Sequence, residues 1–257
     1  GTKSYATGSP FADWIPVYAT DDQDRVHAVF VPSDAPGLEI VDDWSGFGQR
    51  GTGSGTVRLK DVRVPADRVV PHYRTFERPE VFGAYGQYMH AAIDVGIAGG
   101  ALAEGAAFVR ETARPWPEAN VDRLAEEPLV IHKFGELALL VRAAEALLVR
   151  AGQALDAALG AAPDAGPALG ALTDADAAAE ASLAVAAARA QADIAALTVS
   201  SEVLGVVGAR ASLERYNLDR HWRNARTHTL HDPTRWKLQH LGDHALNGVA
   251  PPPNGIV

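Results

Sequence analysis

Up to about Arg74 the apolar positions come in short alternating runs bounded by Gly, Pro and Asp. Lys3–Ala6, Trp14–Ala19, His27–Val31, Gly37–Val41 and Thr56–Leu59 read as strands. Asp21–Asp24 (DDQD) reads as a hairpin turn, and Gly46–Gly55 (GFGQRGTGSG) is too rich in Gly for a regular element and reads as a loop. From about Val81 the period becomes helical. Tyr85–Thr112 predicts one long helix, with Gly96, Gly99 and Gly100 where another backbone can approach closely. Glu127–Leu159 predicts a second, carrying Phe134, Leu137, Leu140, Val141, Ala144, Leu147 and Leu148 at helical spacing. Gly160–Ala171 has the Pro, Gly and Asp of a connection. Thr173 opens a third helix that runs to about Val207, with Asp174 and Asp176 in its first turn favoured by the helix dipole. Its Ala-rich face suits tight packing in a bundle. A last short helix covers Pro233–Leu246, and APPPNGIV is a tail. The pattern predicts an α+β chain: a β domain over residues 1–76 and a helical bundle over residues 77–257.

Size and charge narrow the classes. The chain has 257 residues, enough for a substantial core. A formal net charge of -9 argues against a general nucleic-acid binder, which needs a basic surface. Cysteine is absent, so disulfides, thiolate metal sites and cysteine nucleophiles are excluded, which fits a cytosolic protein. No stretch shows the ~18 consecutive apolar residues of a membrane helix, and no signal-peptide pattern opens the chain. The opening GTKSYATGSPFADWIPVYA reads as the inside of a sheet from its first residues, so an N-terminal portion is expected to be missing.

The basic residues are clustered. Arg220–Lys237, RHWRNARTHTLHDPTRWK, holds four Arg and three His with a single acid, Asp232. That density of imidazole and guanidinium suits a site that handles anionic groups and protons near neutral pH. Arg220, Arg223 and Arg226, at a spacing of three, face phosphate or pair with Asp219 and other acids. Trp222 and Trp236 read as packing residues. The Gly46–Gly55 loop fails the dinucleotide fingerprint because no βαβ unit surrounds it. His228 with His231, or His240 with His244, has two-ligand spacing, but zinc wants three protein ligands and the Arg crowding disfavours a cation; no metal is expected.

The two halves together resemble the acyl-CoA dehydrogenase superfamily. GTKSYATGSPFADWIPVYA resembles its strand pair, GFGQRGTGSGTVRLKDVRVPADRVV (Gly46–Val70) its G-x-R-x-[ST]…D-V-x-V-P signature, VGIAGGALAEGAAFV its first bundle helix and SSEVLGVVGAR its G-rich helix end. The family's N-terminal helical domain and first strands have no counterpart here. Ordinary members carry a catalytic Glu near the tail; in that register Asp232 and Pro233 stand here. The other place for that Glu, on the first bundle helix, has Met89 and His90, with no carboxylate before Asp94. HWRNARTHTLHDP instead resembles the flavin-dependent monooxygenases of the dibenzothiophene monooxygenase and sulfur-acquisition type.

That resemblance implies a partial β-barrel-like middle domain followed by an antiparallel four-helix bundle. It also implies a homotetramer that binds FMN (FAD being the alternative), reduced by a separate flavin reductase. Such an enzyme uses O2 through a flavin C4a-hydroperoxide to oxygenate a small organosulfur or aromatic compound. By resemblance His231 lies beside the reactive flavin carbon, His228 supports it, and Arg210 stabilises the reduced ring or the peroxide. Thr7, Gly8 and Ser9 meet the ring, and Arg114 reaches the flavin phosphate of a neighbouring subunit. Each has a plain structural counterpart. His228 caps a helix, Arg210 meets a helix dipole, Arg114 is an exposed loop residue, and Thr7–Ser9 is a simple turn. Asp232 is expected to cap the last helix, with Pro233 at its first position. Two other functions stay open: an acyl-CoA dehydrogenase with Asp232 as a degenerate base, and an oligomerising fragment without chemistry.

Overall fold

A computed structural model describes residues 1–160 and 174–252. They form two compact units, Gly1–Arg78 and Pro79 onward.

The first unit holds two three-stranded antiparallel sheets. One has the order β1 (Thr2–Lys3), β5 (Thr56–Leu59), β4 (Leu38–Val41); the other has β2 (Trp14–Thr20), β3 (Val26–Pro32), β6 (Val69–Val70). Ile15, Val17 and Val31 are buried, with Leu38, Ile40, Leu59 and Val62 packed against them. The alternation read from sequence is therefore the alternation of inward faces. The β2–β3 hairpin turns where DDQD stands. The Asp21 carboxylate accepts the backbone N–H of Gln23 and of Arg25, and Asp24 takes the left-handed conformation at φ 58°. Side-chain hydrogen bonds from Arg25 and His27 hold the Asp21 carboxyl well below its ordinary range. The expected strand Lys3–Ala6 ends early, because Tyr5 sits at φ 57° and turns the chain. Residues 42–55 form the expected loop. Gly55 is needed there, since a Cβ on it would lie 2.1 Å from the Val41 carbonyl oxygen.

In the second unit three long helices, α1 (Phe82–Glu111), α2 (Pro128–Ala158) and α3 (Ala175–Val207), pack with two short ones, α4 (Asp219–His228) and α5 (Thr234–Asn247). α3 touches all four others. Ala181, Ala184, Ala188, Ala192, Ala195 and Ala196 are buried around it, which explains why it has no polar stripe. The start signals are local. Pro128 opens α2, and the Asp174 side chain accepts from the backbone N–H of Asp176 and Ala177 at the start of α3.

Three expectations change. The fourth bundle position is filled by two helices rather than one, because RHWRNARTH is itself helical and Pro233 separates it from α5. Its sequence lacks an apolar period, and only Leu218, Ala225 and His228 anchor it in the core. The close approach on α1 is at Gly105, where a Cβ would meet the Val203 side chain at 2.3 Å; Cβ atoms on Gly96 and Gly99 would meet nothing within 4 Å, and one on Gly100 would meet only the His221 ring. α1 and α3 are both long and apolar enough, by length and composition, to cross a membrane. The search for unbroken apolar runs missed this because each helix carries isolated charges. Residues 161–171 of the expected connection lie outside the described residues.

Candidate active site

Those isolated charges build the site. Asp94 on α1 and Arg189 on α3 are 0% and 1% exposed, and Asp193 lies one helical turn beyond Arg189 on the same face. Arg189 Nη1 donates to the carboxylates of both Asp94 and Asp193. α5 adds the Thr234 hydroxyl, which donates to Asp193 Oδ2. It also adds buried Lys237, whose Nζ is 3.2 Å from Asp232 Oδ2. Asp232 Oδ1 in turn lies 3.7 Å from Arg189 Nη2.

From this buried knot a line of imidazoles leads outward. His228, buried at the end of α4, has Nδ1 2.8 Å from Asp94 Oδ1 and Nε2 2.9 Å from His90 Nδ1. The His90 ring packs on that of His231 with centroids 4.1 Å apart. His231, in the link between α4 and α5, has Nδ1 3.2 Å from Asp232 Oδ1, and 56% of its side chain is exposed. His231 and half-buried His90 are thus the open end of a polar column whose other end is sealed in the bundle.

The electrostatics follow from burial. Desolvation first, then the neighbouring His231, His228 and Arg189, pushes the His90 imidazole down to about 4, so it stays neutral at physiological pH. Burial raises Asp193 to about 7 against the pull of Arg189, with Asp94 adding to the rise. Burial also works against the Asp232 carboxylate, but hydrogen bonds and charge from His231, Lys237 and Arg189 outweigh it and hold the group well below its usual range. Lys237 is pushed down by burial despite its Asp232 partner.

The structure brings His228 and His231 together and adds His90, Asp94, Arg189, Asp193 and Lys237, none of which the motif had nominated as functional. Their sequence signal was charge inside apolar context: Asp94 in AAIDVG, Arg189 and Asp193 in AAARAQADIAA. Asp232 does not cap the last helix. α5 begins at Thr234 after Pro233 with no side-chain cap, because the Asp232 carboxylate turns instead to His231 and Lys237. Arg210 stands apart. It is exposed on the turn after α3, and its Nη1 donates to the Thr112 carbonyl at 3.2 Å, at the C-terminal end of α1. Twenty-two residues of helix separate Thr112 from His90, roughly 33 Å at 1.5 Å per residue. Arg114 is exposed near that same end.

Thr7, Gly8 and Ser9 do more than turn the chain. Gly8 sits at φ 83°, and its N–H donates to the Gly53 carbonyl at 2.8 Å, which fixes the turn on the Gly-rich loop. The hydroxyls of Thr7, Ser54 and Thr52 form a chain at 2.9 and 2.8 Å. Ser9 Oγ is buried with no hydrogen-bond partner among the described residues, an orphan that a bound polar ring edge would satisfy. Arg220 pairs with Glu104, and Arg223 with Asp219 at 2.8 Å, so these two take the surface-pairing alternative. Arg226 has its backbone carbonyl engaged by the Thr229 hydroxyl.

Comparison with known proteins adds the lineage. Residues 88–236 match the family described as acyl-CoA dehydrogenase, C-terminal domain. The chain belongs to that family. Within the acyl-CoA dehydrogenase family it is 35% identical over 265 aligned positions to dibenzothiophene monooxygenase of Rhodococcus erythropolis, an alignment that takes in 98% of this chain and 62% of that protein. It is 31% identical to the probable FMNH2-dependent monooxygenase SfnC of Pseudomonas putida, over 99% of this chain and 63% of SfnC. The solved complex of TdsC from Paenibacillus sp. A11-2 with FMN and indole superposes with a TM-score of 0.88 at 30% identity, covering all of this chain and 66% of TdsC. The chain therefore spans less than two thirds of the length of the relatives it matches.

Proposed function

We propose that this chain is part of a reduced-flavin-dependent monooxygenase that oxygenates a small organosulfur or aromatic compound in the cytoplasm. The observation that carries the reading is the chemistry at the two places where a dehydrogenase of this family keeps its base. One holds His90, the other Asp232. A base must accept a proton near neutral pH. Asp232 is an ion-paired carboxylate held far below that range, so α-proton abstraction has no competent carboxylate there. Imidazoles, which can donate a hydrogen bond or a proton near neutral pH, suit oxygen chemistry instead.

The residues fit a flavin in two respects. The orphaned Ser9 hydroxyl beside left-handed Gly8 offers a hydrogen bond to a ring edge, and the exposed Arg114 and Arg210 at one end of α1 suit a phosphate. Reduced FMN, when bound, supplies the electrons that activate O2. In this reading His231 donates a hydrogen bond or proton at the reacting oxygen, and His228 fixes the His90 ring beside it. Arg114 and Arg210 lie too far from His231 for one FMN molecule to reach both within one chain, so they serve the flavin of a second copy, in keeping with a homotetramer. A separate flavin reductase delivers the reduced cofactor. FMN is preferred over FAD because SfnC is named for FMNH2 and TdsC was solved with FMN.

The test is rapid mixing of the protein and reduced FMN with oxygenated buffer, followed by product analysis with dibenzothiophene and indole. Monooxygenation gives a transient absorbance before flavin reoxidation and an oxygenated product. Absence of both, with bleaching of bound oxidised flavin by an acyl-CoA, would establish the dehydrogenase instead.

A further inference from the structure

We propose that His90 is a proton-transfer residue of this site, and that His90, His228 and Asp94 form a relay ending on the buried Asp94–Asp193 pair. The reading of the site as a monooxygenase gives the relay its use; the relay itself rests on hydrogen bonds between residues of this chain.

The hydrogen bonds dictate the tautomers. Asp94 Oδ1 can only accept, so His228 Nδ1 carries the proton between them at 2.8 Å. His228 Nε2 is then a lone pair and accepts from His90 Nδ1–H at 2.9 Å. That leaves His90 Nε2 as a lone pair at the half-buried end of the line. When His90 Nε2 takes a proton, its Nδ1 proton passes to His228 Nε2, and the His228 Nδ1 proton passes to Asp94 Oδ1. No electrons change hands, both rings finish neutral in the opposite tautomer, and the reverse sequence returns the proton. A cation resting on His90 is disfavoured first by burial and then by its neighbours, His231 from the link before α5, His228 from α4 and Arg189 from α3, against Asp232 alone. Passing the proton on avoids that cation.

The inner end is built to hold it. Asp94 and Asp193 share Arg189 Nη1, and burial, with Asp94 beside it, raises Asp193 to about 7. With one proton on that pair, two buried cations (Arg189 and Lys237) face two carboxylate charges, one on the pair and one on Asp232. Arg189 Nε and Nη2 have no hydrogen-bond partner among the described residues. Arg189 can therefore follow the charge as it moves between the two acids without giving up a hydrogen bond elsewhere.

Ring-nitrogen NMR of 15N-histidine-labelled protein at about pH 7.5 tests the relay directly, at a pH where free His is neutral. His90 and His228 should both appear as Nδ1–H tautomers, against the Nε2–H preference of free imidazole. A His90 ring seen as Nε2–H or as imidazolium overturns the proposal. His90→Asn, at a half-buried position, and Asp94→Asn should each lower kcat for indole oxygenation by about tenfold or more, the low end of general acid–base effects. KM for indole and FMN binding should stay unchanged, and the lost turnover should appear as hydrogen peroxide. Wild-type kcat and coupling in His90→Asn would also overturn it, whether or not Asp94→Asn folds. If the wild-type protein oxygenates nothing while both rings show the expected tautomers, the monooxygenase reading fails and the relay stands.

Discussion

The two halves of the basic segment are alike in composition and opposite in physics. Arg220–Arg226 keeps its guanidiniums near solvent, where Arg220 meets Glu104 and Arg223 meets Asp219 one turn away. In His228–Lys237, a few residues on, buried His228 meets Asp94 on α1, Asp232 lies near Arg189 on α3, and buried Lys237 meets Asp232. The difference lies in the counter-charges. On the outer half they are exposed acids in polar surroundings. On the inner half they are lone charges set in Ala-rich helices. A basic stretch becomes a site only where the rest of the fold has buried acids waiting for it, because a buried ion interacts strongly and costs much to leave unpaired.

The largest break in that contrast comes from Arg189→Met. It strands Asp94 and Asp193 without their shared cation and should cost about 3–5 kcal/mol in denaturant unfolding; a loss under about 1 kcal/mol would mean the inner half behaves like surface charge. Replacing all three together, Asp94→Leu, Arg189→Met and Asp193→Leu, should recover most of that stability, since apolar groups of similar volume replace such triads well. Next, His231→Ala should keep FMN bound and lower oxygenated product by about 10²-fold, with the electrons recovered as hydrogen peroxide. Wild-type coupling in that variant would remove His231 from the chemistry.

A pH profile sharpens the comparison further. His90 is neutral in the folded protein down to about 4, whereas its ordinary value is 6.5. As pH falls from 6.5 towards 4 the unfolded chain gains a proton that the folded one does not, so this group removes stability over that window. Asp193 acts in the opposite sense. Raised from 3.8 to about 7, it keeps a proton in the folded state that the unfolded chain has lost, and its contribution declines as pH rises from about 4 to 7. The two partly cancel in the wild type. His90→Asn removes one side, so its Tm should fall less than that of the wild type on acidification from pH 6.5 to about 4.5. Parallel Tm curves would show that His90 titrates normally. The smallest effect belongs to the outer half: Arg220→Ala should change stability by only about 0–1 kcal/mol.

How far the sequence revealed these features depended on whether the responsible physics was local. The β2–β3 hairpin was legible because Asp21 supplies its own turn, and the α2 and α3 starts because Pro128 and Asp174 act within one helical turn. α4 was not, because a helix without an apolar stripe is held by partners far away in the chain. Gly105 could not be preferred over Gly96 or Gly99 without knowing where Val203 lies. His228 and His231 stood out in a His-rich motif. Their partners Asp94, Arg189 and Asp193 are 35 to 137 residues away, and only their chemical isolation among alanines marked them. The neighbouring Pro233 makes Asp232 read as a cap, while His231, Lys237 and, from α3, Arg189 claim its carboxylate.

The central helix also sets a tolerance. α3 is walled by methyl groups on nearly every side and carries Arg189 and Asp193 on the same rod. Adding bulk at Ala188 or Ala192 would spread the neighbouring helices and, in the same motion, lengthen the gaps across which His228 and Thr234 reach their acids. Spacing and proton traffic are therefore geared together, so enlarging either buried alanine should disturb the relay before it unfolds the bundle.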